Sequence, residues 1–188
     1  MISARILCFL VLLSGMPVIL HAQPGADEQL AAQYFQQGDY AKAAMYYEKL
    51  HRKQPTDFYY EQLFKSYTAL KDLESAEKLV KDQMRRSNGE PRYIIDLGTL
   101  YTLADEKDKA AKEFDKALKQ MRADQGSVRQ VANAFIQVNE LDRALEAYQR
   151  GEKLLPDGQT FAYEIAGLYG TKGDTQRMVS AYMDKYRL

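Results

Sequence analysis

The feature that most constrains this chain is a recurrence. Ala43, Ala76, Ala110, Ala144 and Met178 stand 33, 34, 34 and 34 residues apart. Nine residues before each is an aromatic: Tyr34, Tyr67, Tyr101, Phe135 and Tyr169. Four residues further back is an aliphatic: Leu30, Leu63, Leu97, Val131 and Ile165. Four residues beyond the first set is a large apolar residue: Tyr47, Val80, Phe114, Tyr148 and Tyr182. Four columns across five rows describe one structural unit written five times, with Met178 the one lapse from small to large. Such a unit is a single supersecondary element, and it buries its apolar side by stacking on its neighbours.

Within a row, apolar residues recur at i, i+3 or i+4, and i+7, the period of an amphipathic helix. Leu97, Gly98 and Tyr101 share one face of a first helix, and Ala110, Phe114 and Ala117 share one face of a second. The small residues let two backbones approach, and the aromatics fill the space beside them. Turn-forming residues separate the helices: Gln37-Gly38-Asp39, Lys71-Asp72, Asp105-Glu106, Asn139-Glu140 and Gly173-Asp174. Each turn carries an acid at the same position, which predicts a carboxylate at the N-terminus of every second helix. Ser127 and Gln130 read as a capping box. Asn88-Gly89 reads as a helix stop, with Pro91 at the next helix start. No segment alternates convincingly with period two. The expected fold is all-α: about ten helices in five stacked hairpins.

These residues resemble the tetratricopeptide repeat, a 34-residue helix–turn–helix unit. The clearest copy is Ile94, Leu97-Gly98, Tyr101, Ala110, Phe114 and Ala117. Leu30-Ala31, Val131-Ala132 and Ile165-Ala166 repeat the large–small pair, and Pro55 and Pro156 stand where the family places its closing Pro. The chain departs from the pattern in lacking Trp at the opening position, in Phe64 for a small residue, and in Arg122 for Pro. The resemblance implies a right-handed superhelical solenoid over residues 23–188, with repeats at about 24–56, 57–90, 91–124, 125–158 and 159–188.

Residues 1–22 read as an address. Arg5 gives a positive start, Ile6–Leu20 is an apolar run softened by Ser14, Gly15 and Pro17, and Ala22-Gln23 is a plausible cut. This is the pattern of a secretory signal peptide. The apolar run is shorter than the roughly 20 residues that span a bilayer. Cys8 precedes most of that run, so the pattern of a lipoprotein is missing, and the expected mature chain is soluble, periplasmic or associated with an outer membrane. Removing residues 1–22 takes away the chain's single Cys and one of its 26 basic residues, leaving 25 against 26 acidic. A chain without thiols suits an oxidising compartment. Near-zero net charge excludes a dominant electrostatic attraction to nucleic acid or anionic membranes.

Catalytic and metal chemistry find little support. Hydrolytic sites combine a base, a nucleophile and an orienting group. Beyond residue 22 there is one His, His51, expected to be solvated near a helix C-terminus. Gly167–Gly173 lacks the Gly-Lys-Ser/Thr order of a phosphate loop. Lys81, Arg85 and Arg86 read as a solvated basic face. No cofactor, metal or nucleic acid is expected.

The remaining surface is the groove that the resemblance places along the first helices. Its positions fall on Phe35 and Gln36 in row one; on Phe58, Glu61, Gln62 and Lys65 in row two; on Arg92, Ile95, Asp96, Thr99 and Leu103 in row three; on Arg129, Gln130, Asn133, Ile136 and Gln137 in row four; and on Thr160, Tyr163 and Glu164 in row five. Exposed apolar residues among polar ones make this a candidate peptide-binding surface, with Ile95 and Ile136 alternatively packing against neighbouring helices. Arg129 and Asn133 match one pair of the terminal-carboxylate clamp some family members use, but Glu164 stands where the next row needs Asn, and Glu28 and Ala32 fail the pattern in row one. A clamp is therefore not expected, although Arg129 remains a candidate for a partner's carboxylate.

Three functions follow as expectations: an exported, non-enzymatic scaffold that binds protein segments in its groove; a structural subunit of an envelope assembly or secretion complex; and, with no motif behind it, an enzyme using paired carboxylates such as Glu61 and Asp96. Tyr182, Met183 and Tyr186 on the last helix are expected to be poorly covered, which points to docking on another protein, to self-association, or to a longer array of which this chain is the front part.

Overall fold

The computed structural model describes residues 25–156 and 160–184, so residues 1–22, read above as a signal peptide, and Tyr186 lie outside the described residues. The described residues fold into ten α-helices: α1 (Ala26–Gln36), α2 (Tyr40–Lys53), α3 (Asp57–Leu70), α4 (Leu73–Arg86), α5 (Pro91–Leu103), α6 (Lys107–Lys119), α7 (Gln125–Gln137), α8 (Leu141–Leu154), α9 (Ala162–Thr171) and α10 (Thr175–Asp184). Consecutive helices pair as five hairpins, and each hairpin packs on the next. No strand occurs among the described residues. This is the all-α hairpin stack that the recurrence predicts.

All five turns have the same construction. One residue in each takes the left-handed conformation: Gly38, Lys71, Asp105, Asn139 and Gly173, with φ of 76, 59, 58, 61 and 74°. The backbone N–H of the acid that follows donates to the carbonyl of the aromatic column: Asp39 to Tyr34 (2.9 Å), Asp72 to Tyr67 (2.9 Å), Glu106 to Tyr101 (2.8 Å), Glu140 to Phe135 (2.9 Å) and Asp174 to Tyr169 (2.8 Å). These long-reach bonds satisfy carbonyls that the helix end leaves free.

The same acids then start the second helices, but not equally. The Asp39, Asp72 and Asp174 carboxylates accept from the N–H of Lys42 (3.2 Å), Ser75 (3.1 Å) and Arg177 (2.9 Å). Glu106 and Glu140 occupy the cap position without a side-chain cap bond. The extra methylene carries the carboxylate past the backbone, and Glu106 pairs with Lys109 instead. The capping box at Ser127 also requires correction. Helix α7 begins earlier, capped by Asp124, whose Oδ1 accepts from Ser127 N at 2.7 Å, while Ser127 Oγ accepts from Arg122 N at 2.9 Å. Pro91 opens α5 after the left-handed Asn88 and Gly89.

The small column holds the hairpins shut. Ala43, Ala76 and Ala144 are fully buried and Ala110 is 4% exposed. A Cβ on Gly98 would lie 2.6 Å from Phe114 Cδ1, so the α5–α6 crossing is closed by the missing methyl. Met178, the lapse in the column, finds room because Gly170 faces it across the last hairpin. Phe135 and Val131 are completely buried, and full burial of such a side chain contributes about 1.5–3 kcal/mol. Two apolar clusters result, one from α1 to α5 and one from α5 to α9, joined where Met84 and Tyr101 touch both. Helix α5 sits between them, which is why Tyr93 through Gly98 are all buried.

Candidate functional site

The groove residues lie on the first helices, with Thr160 just ahead of α9, and the structure divides them into three kinds. The first kind is sealed. Ile95 is fully buried between helices, the alternative the sequence left open. Asp96 is 8% exposed, a correction to its assignment as an open groove residue. Its Oδ2 accepts from the buried Tyr60 hydroxyl at 2.7 Å. A buried phenol needs a partner, and the short Asp side chain supplies it under the surface, where the Gln or Glu of other rows reaches outward. Burial pushes the Asp96 carboxyl up to about 6, against the Tyr60 hydrogen bond and the Arg92 charge, which favour ionisation. Tyr93 meets Tyr60 edge-on at 5.0 Å and has its own partners, donating to Asp57 Oδ1 at 2.9 Å and accepting from Gln83 Nε2 at 3.1 Å. These pairings of Tyr60, Tyr93 and Gln83 were not legible, because each stands in a column that is apolar or ordinary elsewhere.

The second kind is polar and internally paired. Glu61 receives Lys65 Nζ at 2.6 Å and Arg92 at 3.3 Å, and the Lys65 hydrogen bond holds its carboxyl below the usual range. Arg92 also lies 3.9 Å from Asp57. Arg129 pairs with Glu164 at 3.0 Å, donates to Gln125 at 2.9 Å, and covers the Phe161 ring at 5.2 Å. This corrects the reading of Arg129 as a cation waiting for a partner's carboxylate: Glu164, the residue that breaks the clamp pattern, is itself the partner. Gln130 donates to Glu90 at 2.7 Å, and Thr160 to Glu152 at 2.7 Å. Asn133 is exposed, with the Tyr148 hydroxyl 3.5 Å from its Oδ1.

The third kind is apolar and open. Phe58 is 51% exposed, Leu103 55%, Ile136 37% and Tyr163 49%. Phe35, assigned with them, instead turns its ring into the first hairpin, edge-on to Tyr40 at 5.4 Å and Tyr47 at 6.4 Å.

The packing columns are placed as follows. Tyr47, Leu63, Leu97, Phe114, Val131, Phe135, Tyr148 and Ile165 are buried, while Leu30, Tyr34, Tyr67, Tyr101 and Tyr169 are half-buried. Cations of the second helices cover three of those half-buried rings: Lys42 over Tyr34, Lys109 over Tyr101 and Arg177 over Tyr169. Tyr182 is 39% exposed and meets Tyr163 at 5.9 Å.

His51 also differs from its sequence reading. It is 8% exposed, its Nδ1 has no hydrogen-bond partner, and burial followed by the Arg86 charge lowers its pKa. Among the described residues no three His, Cys, Asp or Glu side chains converge as a metal site requires, and no helix is long and apolar enough to cross a membrane.

No family model and no curated protein sequence matches this chain. Solved structures do resemble it. A crystal structure of MamA protein is 19% identical, covering 85% of this chain and 87% of its own, with a TM-score of 0.43. MamA from Desulfovibrio magneticus RS-1 is 13% identical, covering 88% and 96%, with a TM-score of 0.44. A thermophilic tetratricopeptide-repeat protein of Thermus thermophilus is 16% identical, covering 85% and 88%, with a TM-score of 0.44.

Proposed function

We propose that this chain is an exported, non-enzymatic scaffold whose first-helix face holds segments of a protein partner. One observation carries the reading. The charged groups of that face, Glu61, Lys65, Arg92, Arg129 and Glu164, pair with one another, whereas Phe58, Leu103, Ile136 and Tyr163 stay open beside them. Exposed apolar side chains set among satisfied polar ones are what a partner's apolar side chains can desolvate. The preferred segment is accordingly apolar in its anchoring residues rather than recognised by a terminal carboxylate. The carboxylate-enzyme reading has less to stand on: Asp96 is buried against the Tyr60 hydroxyl, and Glu61 is occupied by Lys65 and Arg92. Export to the periplasm rests on Met1–Ala22, and fractionation with mature-mass determination tests it. For the groove, Leu103→Ser with Ile136→Ser tests the reading, because neither side chain is needed for the core. A partner recovered with the native chain from envelope fractions is lost from the double variant at unchanged thermal midpoint. Recovery at the native level overturns the reading.

A further inference from the structure

The column four residues beyond Tyr47, Val80, Phe114 and Tyr148 reads His51, Met84, Leu118 and Glu152. Two of its members are apolar and go into the stack: Leu118 is 2% exposed, and Met84 touches both apolar clusters. Glu152 is polar and has partners, accepting from Thr160 Oγ1 and from Phe161 N, each at 2.7 Å. His51 is polar and buried, yet its Nδ1 has no partner. A buried polar group without a hydrogen bond is costly, and each one in a fold calls for a reason.

The His51 ring borders a cleft of about 340 Å³ between α2, α3 and α4. Tyr67 of α3 and Leu79 of α4 give the cleft an apolar wall. Five charged side chains stand around it: Glu48 and Arg52 from α2, and Lys78, Asp82 and Arg86 from α4. Both carboxylates are occupied, Glu48 by Arg52 at 2.6 Å and Asp82 by Arg85. Lys78 and Arg86 have no ion pair among the described residues. The cleft therefore carries positive charge that its own acids do not answer. Arg86 stands close enough to His51 for its charge, added to burial, to hold the imidazole below its ordinary range.

We propose that this cleft binds a small phosphate monoester, with its phosphoryl group between Arg86 of α4 and His51 of α2 and its organic part against Tyr67 and Leu79. Cationic and imidazole groups arriving from two helices suit the three oxygens of a phosphoryl group, and an Arg fork is well matched to them. The cleft falls within the ~300–1,000 Å³ of small-molecule sites, which leaves room for an organic body beside the anion. A bound phosphoryl group offsets the Arg86 charge and so favours the imidazolium form of His51. Binding and proton uptake by His51 then reinforce each other. None of the groove residues lines this cleft, so either site can fail without the other.

Imidazole NMR of the full chain tests the proposal, with phenyl phosphate as the probe. The chain has two histidines, His21 and His51, and His51→Gln identifies the His51 signal. Phenyl phosphate is expected to move the titration midpoint of His51 to higher pH by about 0.5 or more and to leave His21 in place. Arg86→Gln is expected to do two things that loss of fold would not. It raises the His51 midpoint of the free chain, and it weakens phenyl phosphate about ten-fold or more. Lys112→Gln, on the exposed side of α6, changes neither. Phosphatidylcholine vesicles with and without phosphatidic acid separate the two sources of such a group: a lipid headgroup floats the chain in an Arg86-dependent manner, and a soluble ester does not. A His51 midpoint that phenyl phosphate leaves unmoved overturns the proposal. So does equal affinity for benzoate, or equal binding of phenyl phosphate by the native and Arg86→Gln chains.

Discussion

At the scale of single residues, the instructive positions are those where a side chain does something other than its column. Asp96 is one. Its folded-state pKa is raised from 3.8 to about 6, so the folded chain holds a proton that the unfolded chain gives up. The stability that follows is fully present below pH 3.8 and is lost as the pH rises through 6. Asp96→Asn keeps an acceptor for Tyr60 and removes the buried charge. Urea unfolding from about pH 4 to 8 should show the variant gaining on the native chain as pH rises, then holding a lead of about 1–3 kcal/mol above about pH 6. Lys71 is another. It occupies the left-handed turn position that Gly38 and Gly173 fill in their rows, at φ 59° and with an exposed side chain. Lys71→Gly should raise stability by about 0.5–1 kcal/mol, readable as a higher thermal midpoint. The same substitution at an exposed mid-helix residue such as Lys78 should lower it.

Residues of this kind mark the limit of the sequence reading. The packing columns were legible because five copies reinforce one another. Asp96 was assigned by a position that points outward in other rows, and the Tyr60 phenol that draws it inward occurs in row two only. His51 was read as solvated because its neighbours Arg52 and Lys53 are charged. Leu63 and Tyr67 of α3 and Leu79 and Arg86 of α4 gather about the cleft that His51 borders, a long-range fact that a helical period does not contain. Arg129 and Glu164 were each read singly, and 35 residues separate the two ends of their ion pair.

At the scale of elements, periodicity placed the hairpins, and local chemistry decided how each helix begins. Ser127 matched a capping motif, yet Asp124 three residues earlier captures its N–H. A charged acceptor makes the stronger hydrogen bond, so the earlier start wins. Gly98 shows an element property that was legible as a type, small, but not as a distance. Because the Phe114 ring occupies the space a methyl needs, Gly98→Ala should destabilise the chain by about 1–3 kcal/mol despite the better helix propensity of Ala. Gly167→Ala in α9, where nothing lies within 4 Å, should instead stabilise slightly. Equal effects at the two glycines, measured by chemical denaturation, would contradict the close-approach account of the α5–α6 crossing.

At the scale of the whole molecule, stacking turns five marginal hairpins into two apolar clusters that share α5. The same stacking sorts polar groups. Those between rows pair across helices, as in Arg92 with Glu61 and Arg129 with Glu164, and this leaves the first-helix face with open apolar side chains and few unsatisfied charges. The measurement that tests this most directly is site-specific photo-crosslinking along the chain in its native envelope, comparing Leu103 and Ile136 on first helices with Lys112 on the exposed side of α6. The account predicts adducts to a protein partner at Leu103 and Ile136 and none at Lys112. Adducts at Lys112 with none at the two first-helix positions would contradict it.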